Sequence, residues 1–447
     1  MKKILLFFAF FLPFQFALNP APGIDLSIAR LFIVLAFFVW LINGLIKNVI
    51  MISHNYITWG LLIFLSFGLL SFIKAEETGW AIRKFLVFLS IFPLYFLVSS
   101  VFKKTDFSKI SLALIISSTI VGFLGILQFL SQFILGSDAV FNFWSKYLAK
   151  FFLGEAFGQA VITNPSWWVN ISGHTFLRAT SVFPDPHMLS FFLGMTLPLF
   201  IPLILKKRFS LKLSWFYGFM ASIVFIALVL TFSRGGYIGL LVSGLWLLYY
   251  FFSSRLNELG KKQKLGLAFI ACILLLIIFF VPSVKERLFS SLNFEEGSVA
   301  GRLEIWHQAF SVWLKNFWLG VGIGNYSYYL NPLYEYRLPV YAHNTYLDIA
   351  VEVGIFGLIT WLSIFVYAIL KLIKLLWLKM ENCQFKAGRP WDEKFKIQGA
   401  ALIASLVYFS VHTFFETPIY SPQILPLLMI ILGMASIVIT KEKTPSS

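Results

Sequence analysis

Long apolar runs constrain this chain more than any other feature. Windows of about 17–25 apolar residues, the length that crosses a bilayer core as a helix, recur along it. We read twelve: 4–18, 25–46, 56–73, 85–102, 109–135, 187–205, 213–232, 236–252, 265–281, 345–370, 400–417 and 423–440. Hydrophobic residues make up 59% of the 447, charged residues only 13%, and mean hydropathy is +0.83. A soluble fold of this size cannot hide so much apolar surface. The expectation is an all-α polytopic membrane protein of about twelve transmembrane helices, forming one integral-membrane domain over residues 1–447. No repeat, heptad or low-complexity tract breaks that pattern. The opening MKKILLFFAFFLPFQFAL lacks a small-x-small cleavage site before Asn19, so it is expected to stay as the first span.

The net charge of +16 and pI near 9.7 do not call for nucleic acid. Most of the 36 basic residues fall in alternate short loops, at Lys2 and Lys3, Lys47, 103–109, 206–212, 255–264, 371–396, Lys441 and Lys443. By the positive-inside rule those loops and both termini are cytoplasmic. Cys272 sits in a span and Cys383 in a cytoplasmic loop, a spacing that offers neither a disulfide framework nor a metal cluster.

Two long segments then face the outer side, 136–186 and 282–344, rich in Trp, Tyr, Asn, Gly and Pro. Together they are expected to form a small helical cap. AVFNFWSKYLAKFF (139–152) suits a helix in the interface, with aromatics in lipid and Lys146 and Lys150 at the headgroups. GRLEIWHQAFSVWLKNF (301–317) carries Trp306, Phe310 and Trp313 at helical spacing and reads as an amphipathic helix, followed by the turn GVGIGNY.

Basic groups gather near the outer ends of spans. Arg234, in TFSRGGYIG, is the only charge in a tight hairpin between two spans. Its Ser-Arg-Gly-Gly turn would offer backbone N–H groups beside a guanidinium, a cradle for phosphate oxygens, with snorkelling to headgroups as the plainer alternative. Arg302 would open the amphipathic helix and favour an anion there, or be salt-bridged to Glu304 nearby. Arg83 and Lys84 precede a span on the side where the positive-inside rule disfavours them, with Glu76 or Glu77 as counter-charges. Arg178, in HTFLRATSVFPDPHML, precedes a Pro-Asp-Pro turn that is reason enough for it.

The stretch YAHNTYLDIAVEVGIFG (341–357) holds the sharpest candidate. His343 stands at the mouth of a span, where a base titrating near neutrality can take a proton from a hydroxyl. Asn344 is expected to cap the helix that follows. Asp348 and Glu352, at i and i+4, share one face, and carboxylates inside a span must be paired or meet a polar cavity. They would orient His343 or an arginine, or form an ion pair between helices. No HExxH, outer DxD or His/Cys cluster marks a metal site, and no cofactor is expected.

His343-Asn344, nine residues, Gly354, two residues and Gly357 resemble the His-Asn/Ser/Gln, x9, Gly-x-x-Gly signature of the O-antigen ligase family, which includes Wzy-type polysaccharide polymerases. TFSRGGYIG, GRLEIW, GVGIGNY and RATSVFPDPHML resemble stretches typical of it, so the likeness covers roughly 178–360. One departure stands out: the family's Arg-x3-Leu pattern in the long loop meets Trp306 at that offset from Arg302.

The resemblance implies a GT-C-like membrane glycosyltransferase of the bacterial inner membrane, working at the periplasmic face without a metal. It would move a glycan from undecaprenyl diphosphate to an acceptor hydroxyl, with the lipid A core as acceptor for a ligase. It also implies that Arg234 and Arg302 hold the diphosphate, that Lys84 or Arg83 stands for a further basic residue of the family, and that His343 activates the acceptor. Trp167, Trp168, Tyr328 and Tyr329 offer sugar platforms, or interface anchors. A Wzy-like polymerase, whose acceptor is a second lipid-linked repeat, is the close alternative. A lipid-linked-glycan flippase or transporter is the alternative of another class.

Overall fold

The structure, a computed structural model, describes residues 1–440 apart from 22–23, 49, 51, 164, 172, 206–210, 255–296, 337–339 and 378–390. Thirteen helices organise it: α1 (Lys2–Phe11), α2 (Ile28–Ile46), α3 (Tyr56–Lys74), α4 (Thr78–Val101), α5 (Lys104–Leu135), α6 (137–153), α7 (Pro186–Ile204), α8 (Leu211–Val229), α9 (Arg234–Ser254), α10 (Gly297–Lys315), α11 (Thr345–Leu376), α12 (Phe395–His412) and α13 (Ile424–Ile439). Eight of these, α2 to α5, α7, α8, α11 and α12, are long and apolar enough to cross a membrane among the described residues. The expected span at 265–281 and both cysteines lie outside those residues. Strand structure among them amounts to two short antiparallel hairpins, Ala17–Ala21 with Ile24–Ser27 and Trp168–Ile171 with His174–Leu177. The chain is an all-α polytopic membrane protein.

Helix starts follow local chemistry. Asn55 accepts from the Thr58 N–H at 3.1 Å, and Asp185 accepts from His187 and Met188 ahead of Pro186, whose missing N–H is harmless in a first turn. α13 is apolar all round and buried along nearly its whole length, as a central helix must be. α2 instead exposes Leu35, Phe38, Val39, Ile42, Leu45 and Ile46, the side chains a bilayer would cover.

The long helix α11 is broken. Gly354 has φ +77°, and a Cβ there would lie 2.1 Å from the Trp318 carbonyl oxygen. The break frees backbone groups that the 317–321 turn satisfies: Val321 N–H donates to the Val351 carbonyl at 2.8 Å, and Ile355 N–H to that of Phe317 at 3.0 Å. Gly354 thus lets loop backbone pair with helix backbone.

The interface helix α6 exposes Phe143, Tyr147 and Phe151 in one stripe, while Trp144 turns inward against Trp167 with ring centroids 4.1 Å apart. Trp167 is fully buried, which removes it from the sugar-facing candidates. α10 begins at Gly297, so Arg302 lies in its second turn and not at its first amides. Its buried line runs through Ala309 and Val312, with Ile305 and Trp313 beside them, and Phe310 is exposed.

Candidate functional site

The N-terminal ends of α7 and α11, the C-terminal end of α12 and the second turn of α10 meet at one end of the bundle. Two short segments are stitched together there, 342–345 before α11 and 413–417 after α12. Thr345 N–H donates to the Thr413 carbonyl at 2.9 Å, and its hydroxyl to the Glu416 carbonyl at 3.0 Å. Asp348, 1% exposed, accepts from the Ala342 N–H at 2.8 Å and from the Thr417 hydroxyl. Those contacts flank His343 on one strand of chain and Glu416 on the other. Asp348 thus sets the positions of both without touching either imidazole or carboxylate. Asn344 caps α11, its Oδ1 accepting from the N–H groups of Tyr346 and Leu347 at 3.0 and 3.2 Å. Between Ala342 and Asn344, both held, His343 is forced to φ +49°, a conformation few side chains adopt.

The imidazole that results is directed at Glu416. His343 Nδ1 lies 3.0 Å from Glu416 Oε2, and the side chain keeps 44% of its surface exposed. An ionised carboxylate only accepts, so Nδ1 carries the proton and Nε2 holds the lone pair. The charge of Glu416 and the hydrogen bond to it raise the His343 pKa against the opposing effect of burial. Burial resists the Glu416 charge, but His187, His343 and Arg302 outweigh it and hold the carboxyl well below its ordinary range. Sequence alone gives Glu416 no particular weight. The signal available was its i+4 spacing from His412 at the end of a span, just ahead of Pro418.

Arg302 reaches the same carboxylate from α10, its Nη2 3.3 Å from Glu416 Oε1. His187, in a motif too short to single it out in the sequence, approaches that oxygen with Nε2 at 3.7 Å. Ser233, the residue before Arg234, joins His187 Nδ1 at 2.9 Å to His412 Nε2 at 3.1 Å. So the hairpin of Arg234 borders the cluster. Its glycines are buried: Gly236 N–H is taken by the Ser233 hydroxyl at 3.3 Å, and Cβ atoms on Gly235 and Gly236 would meet His412 at 2.7 Å and Ser190 at 2.1 Å. They let α9 lie close against α7 and α12.

Other expected residues are placed differently. Arg178, 3% exposed, donates to the carbonyls of Thr231 and Ser166 at 2.7 Å each, tying the second hairpin to the turn before Arg234. Lys84 is paired with Glu352 at 2.7 Å, both buried, and its ammonium lies 3.9 Å from the centre of the Tyr420 ring. Tyr420 also donates to Glu352 at 3.1 Å; burial first and the Glu352 charge second push that phenol well above its usual range, so it stays a donor. Glu352 is therefore an ion-pair partner between helices. Arg83 is exposed, 5.3 Å from the Tyr336 ring centre. Burial and then Glu416 push the Asp185 carboxyl up to about 6. Among the described residues no group of three His, Cys, Asp or Glu side chains converges on a common point for a metal.

A histidine–carboxylate pair with a guanidinium on the same carboxylate thus stands at one end of a membrane bundle. Residues 219–362 match the family model described as O-antigen ligase. The match carries with it a membrane glycosyl-transfer function of ligase or polymerase type. No curated protein matches the chain.

Proposed function

We propose that this protein transfers a glycan from undecaprenyl diphosphate to a hydroxyl of the lipid A core at the periplasmic face of the bacterial inner membrane. The observation that carries the reading is the His343–Glu416–Arg302 cluster, which sets a base beside a fixed positive charge. Nε2 of His343 takes the acceptor proton as the hydroxyl oxygen bonds to the anomeric carbon. The bond from that carbon to the diphosphate oxygen breaks on the opposite face, and the configuration inverts. Glu416 holds the imidazole in the reactive tautomer and stabilises the imidazolium that forms.

Arg302 and Arg234 take the diphosphate. Each guanidinium can bind phosphate oxygens bidentately and never loses its charge, so no divalent cation is needed. Arg302 engages Glu416 through one nitrogen and has further N–H donors to offer. Lys84, neutralised by Glu352, serves as support, and exposed Arg83 is the member of that pair able to meet an arriving phosphate. A transporter would carry charges through the depth of the bundle, whereas here they crowd at one end.

The test is reconstitution with undecaprenyl-diphosphate glycan and two acceptors, lipid A core and a second lipid-linked repeat, with and without chelator. Transfer to the core supports a ligase; transfer only to the repeat replaces it with a polymerase using the same site. Loss of activity on chelation would refute the metal-free chemistry.

A further inference from the structure

His187 and His412 are two more imidazoles beside the site, and neither has a part in the reaction as derived so far. His412 is fully buried, stacked on Phe191 with ring centroids 3.7 Å apart. Its Nε2 meets the Ser233 hydroxyl, and its Nδ1 is buried with no hydrogen-bond partner. The same hydroxyl meets His187 Nδ1, and His187 Nε2 faces Glu416.

One serine proton cannot serve both neighbours, so the chain runs in one of two directions. In the first, His412 Nε2–H donates to Ser233, Ser233 donates to His187 Nδ1, and His187 directs an N–H at Glu416. In the second, every donor is reversed. His412 Nδ1–H would then be a buried donor without an acceptor, and His187 would turn a lone pair toward a carboxylate. Both are costly: an orphaned buried donor loses its full desolvation energy, and the lone pair is repelled by the negative oxygen. In the first direction the orphan is only an acceptor site, and the last N–H dipole meets an anion.

We propose that His187 is a positioning residue for His343, its tautomer fixed by the Ser233–His412 chain so that its N–H holds and tempers the shared carboxylate Glu416. This rests on the reading of His343 as the base. Glu416 Oε1 then faces Arg302 and His187, and Oε2 is left to His343. At 3.7 Å the His187 contact is longer than a hydrogen bond and acts as a dipole on a charge. Tempering matters because an untempered carboxylate would hold His343 protonated and unable to act. The other titratable or charged groups felt here are Arg178, His412 and the Asp185 and Asp348 carboxyls.

The experiment follows the pH dependence of His343 carbethoxylation by diethylpyrocarbonate, resolved by peptide mass spectrometry on the full-length protein in detergent. The reagent reacts with the free imidazole, so the midpoint reads the His343 pKa whether or not transfer is assayed. His187→Ala is expected to raise the midpoint by about half a pH unit or more, and Ser233→Ala to raise it by less. His187→Gln, whose amide retains an N–H, returns it toward wild type. An unchanged or lowered midpoint in His187→Ala overturns the proposal. If that variant does not accumulate, Ser233→Ala alone decides, an unchanged midpoint again overturning it. Inactive wild type or fully active His343→Ala in the transfer assay would instead refute the parent reading, and the carbethoxylation midpoints stay interpretable.

Discussion

His343 and Glu416 stand 73 residues apart in the chain and 3.0 Å apart in space, one before the first turn of α11 and the other after the last turn of α12. Neither helix alone presents a catalytic pair. Their ends do so because Asp348 and Thr345 fasten the two flanking segments to each other.

The first prediction concerns that pair. Glu416→Gln keeps the shape but lets an amide face Nδ1, so the reactive tautomer is no longer enforced. Turnover should fall by roughly 10²- to 10⁴-fold, the scale seen when a base loses its orienting carboxylate. The sign of the pH effect follows from the structure. Activity needs His343 unprotonated, so it rises as pH passes upward through the His343 pKa, which Glu416 raises. Residual activity of Glu416→Gln should therefore have its acid limb at lower pH, as measured by pH–rate profiles.

Arg302 gives a second. Arg302→Lys keeps a positive charge near Glu416 but loses the planar fork that suits a diphosphate. The Michaelis constant for the lipid-linked donor should rise by about tenfold, the equivalent of roughly 1.4 kcal/mol, with less change for the acceptor. Steady-state kinetics with each substrate varied in turn checks it.

The buried pair Lys84–Glu352 gives a third, on stability. Glu352→Ala leaves an ammonium buried at 8% side-chain exposure with no carboxylate, and should cost about 3–5 kcal/mol. Lys84→Met with Glu352→Gln removes the stranded charge and should recover most of that. Thermal unfolding in detergent compares the three proteins.

Gly354 gives a fourth. Gly354→Ala would place a Cβ 2.1 Å from the Trp318 carbonyl oxygen at φ +77°. At least about 1–3 kcal/mol of strain is expected, relieved by separating the 317–321 turn from α11. Faster proteolysis within that turn would report the separation.

Much of this was legible in sequence because lipid leaves few choices: apolar length sets the spans, and Asn344 caps α11 by purely local chemistry. The position of His343 at the mouth of a span was likewise suggested by residues near one another in sequence. Glu416 and His187 were not, because their meaning lies in contacts between α7, α10, α11 and α12, which periodicity does not encode. The same holds for Lys84: its charge looked available until Glu352, 268 residues away, was found against it. The left-handed backbone of Gly354 was not legible, since sequence gives a glycine's size but not its φ.

The central claim is that His343, directed by Glu416, removes the acceptor proton. Reconstituted transfer from undecaprenyl-diphosphate glycan by wild type, His343→Ala and Glu416→Gln tests it most directly, with donor binding measured in parallel. Both variants should bind donor near wild-type affinity, His343→Ala should show almost no turnover, and Glu416→Gln should retain a small residue. Wild-type turnover in either variant would contradict it.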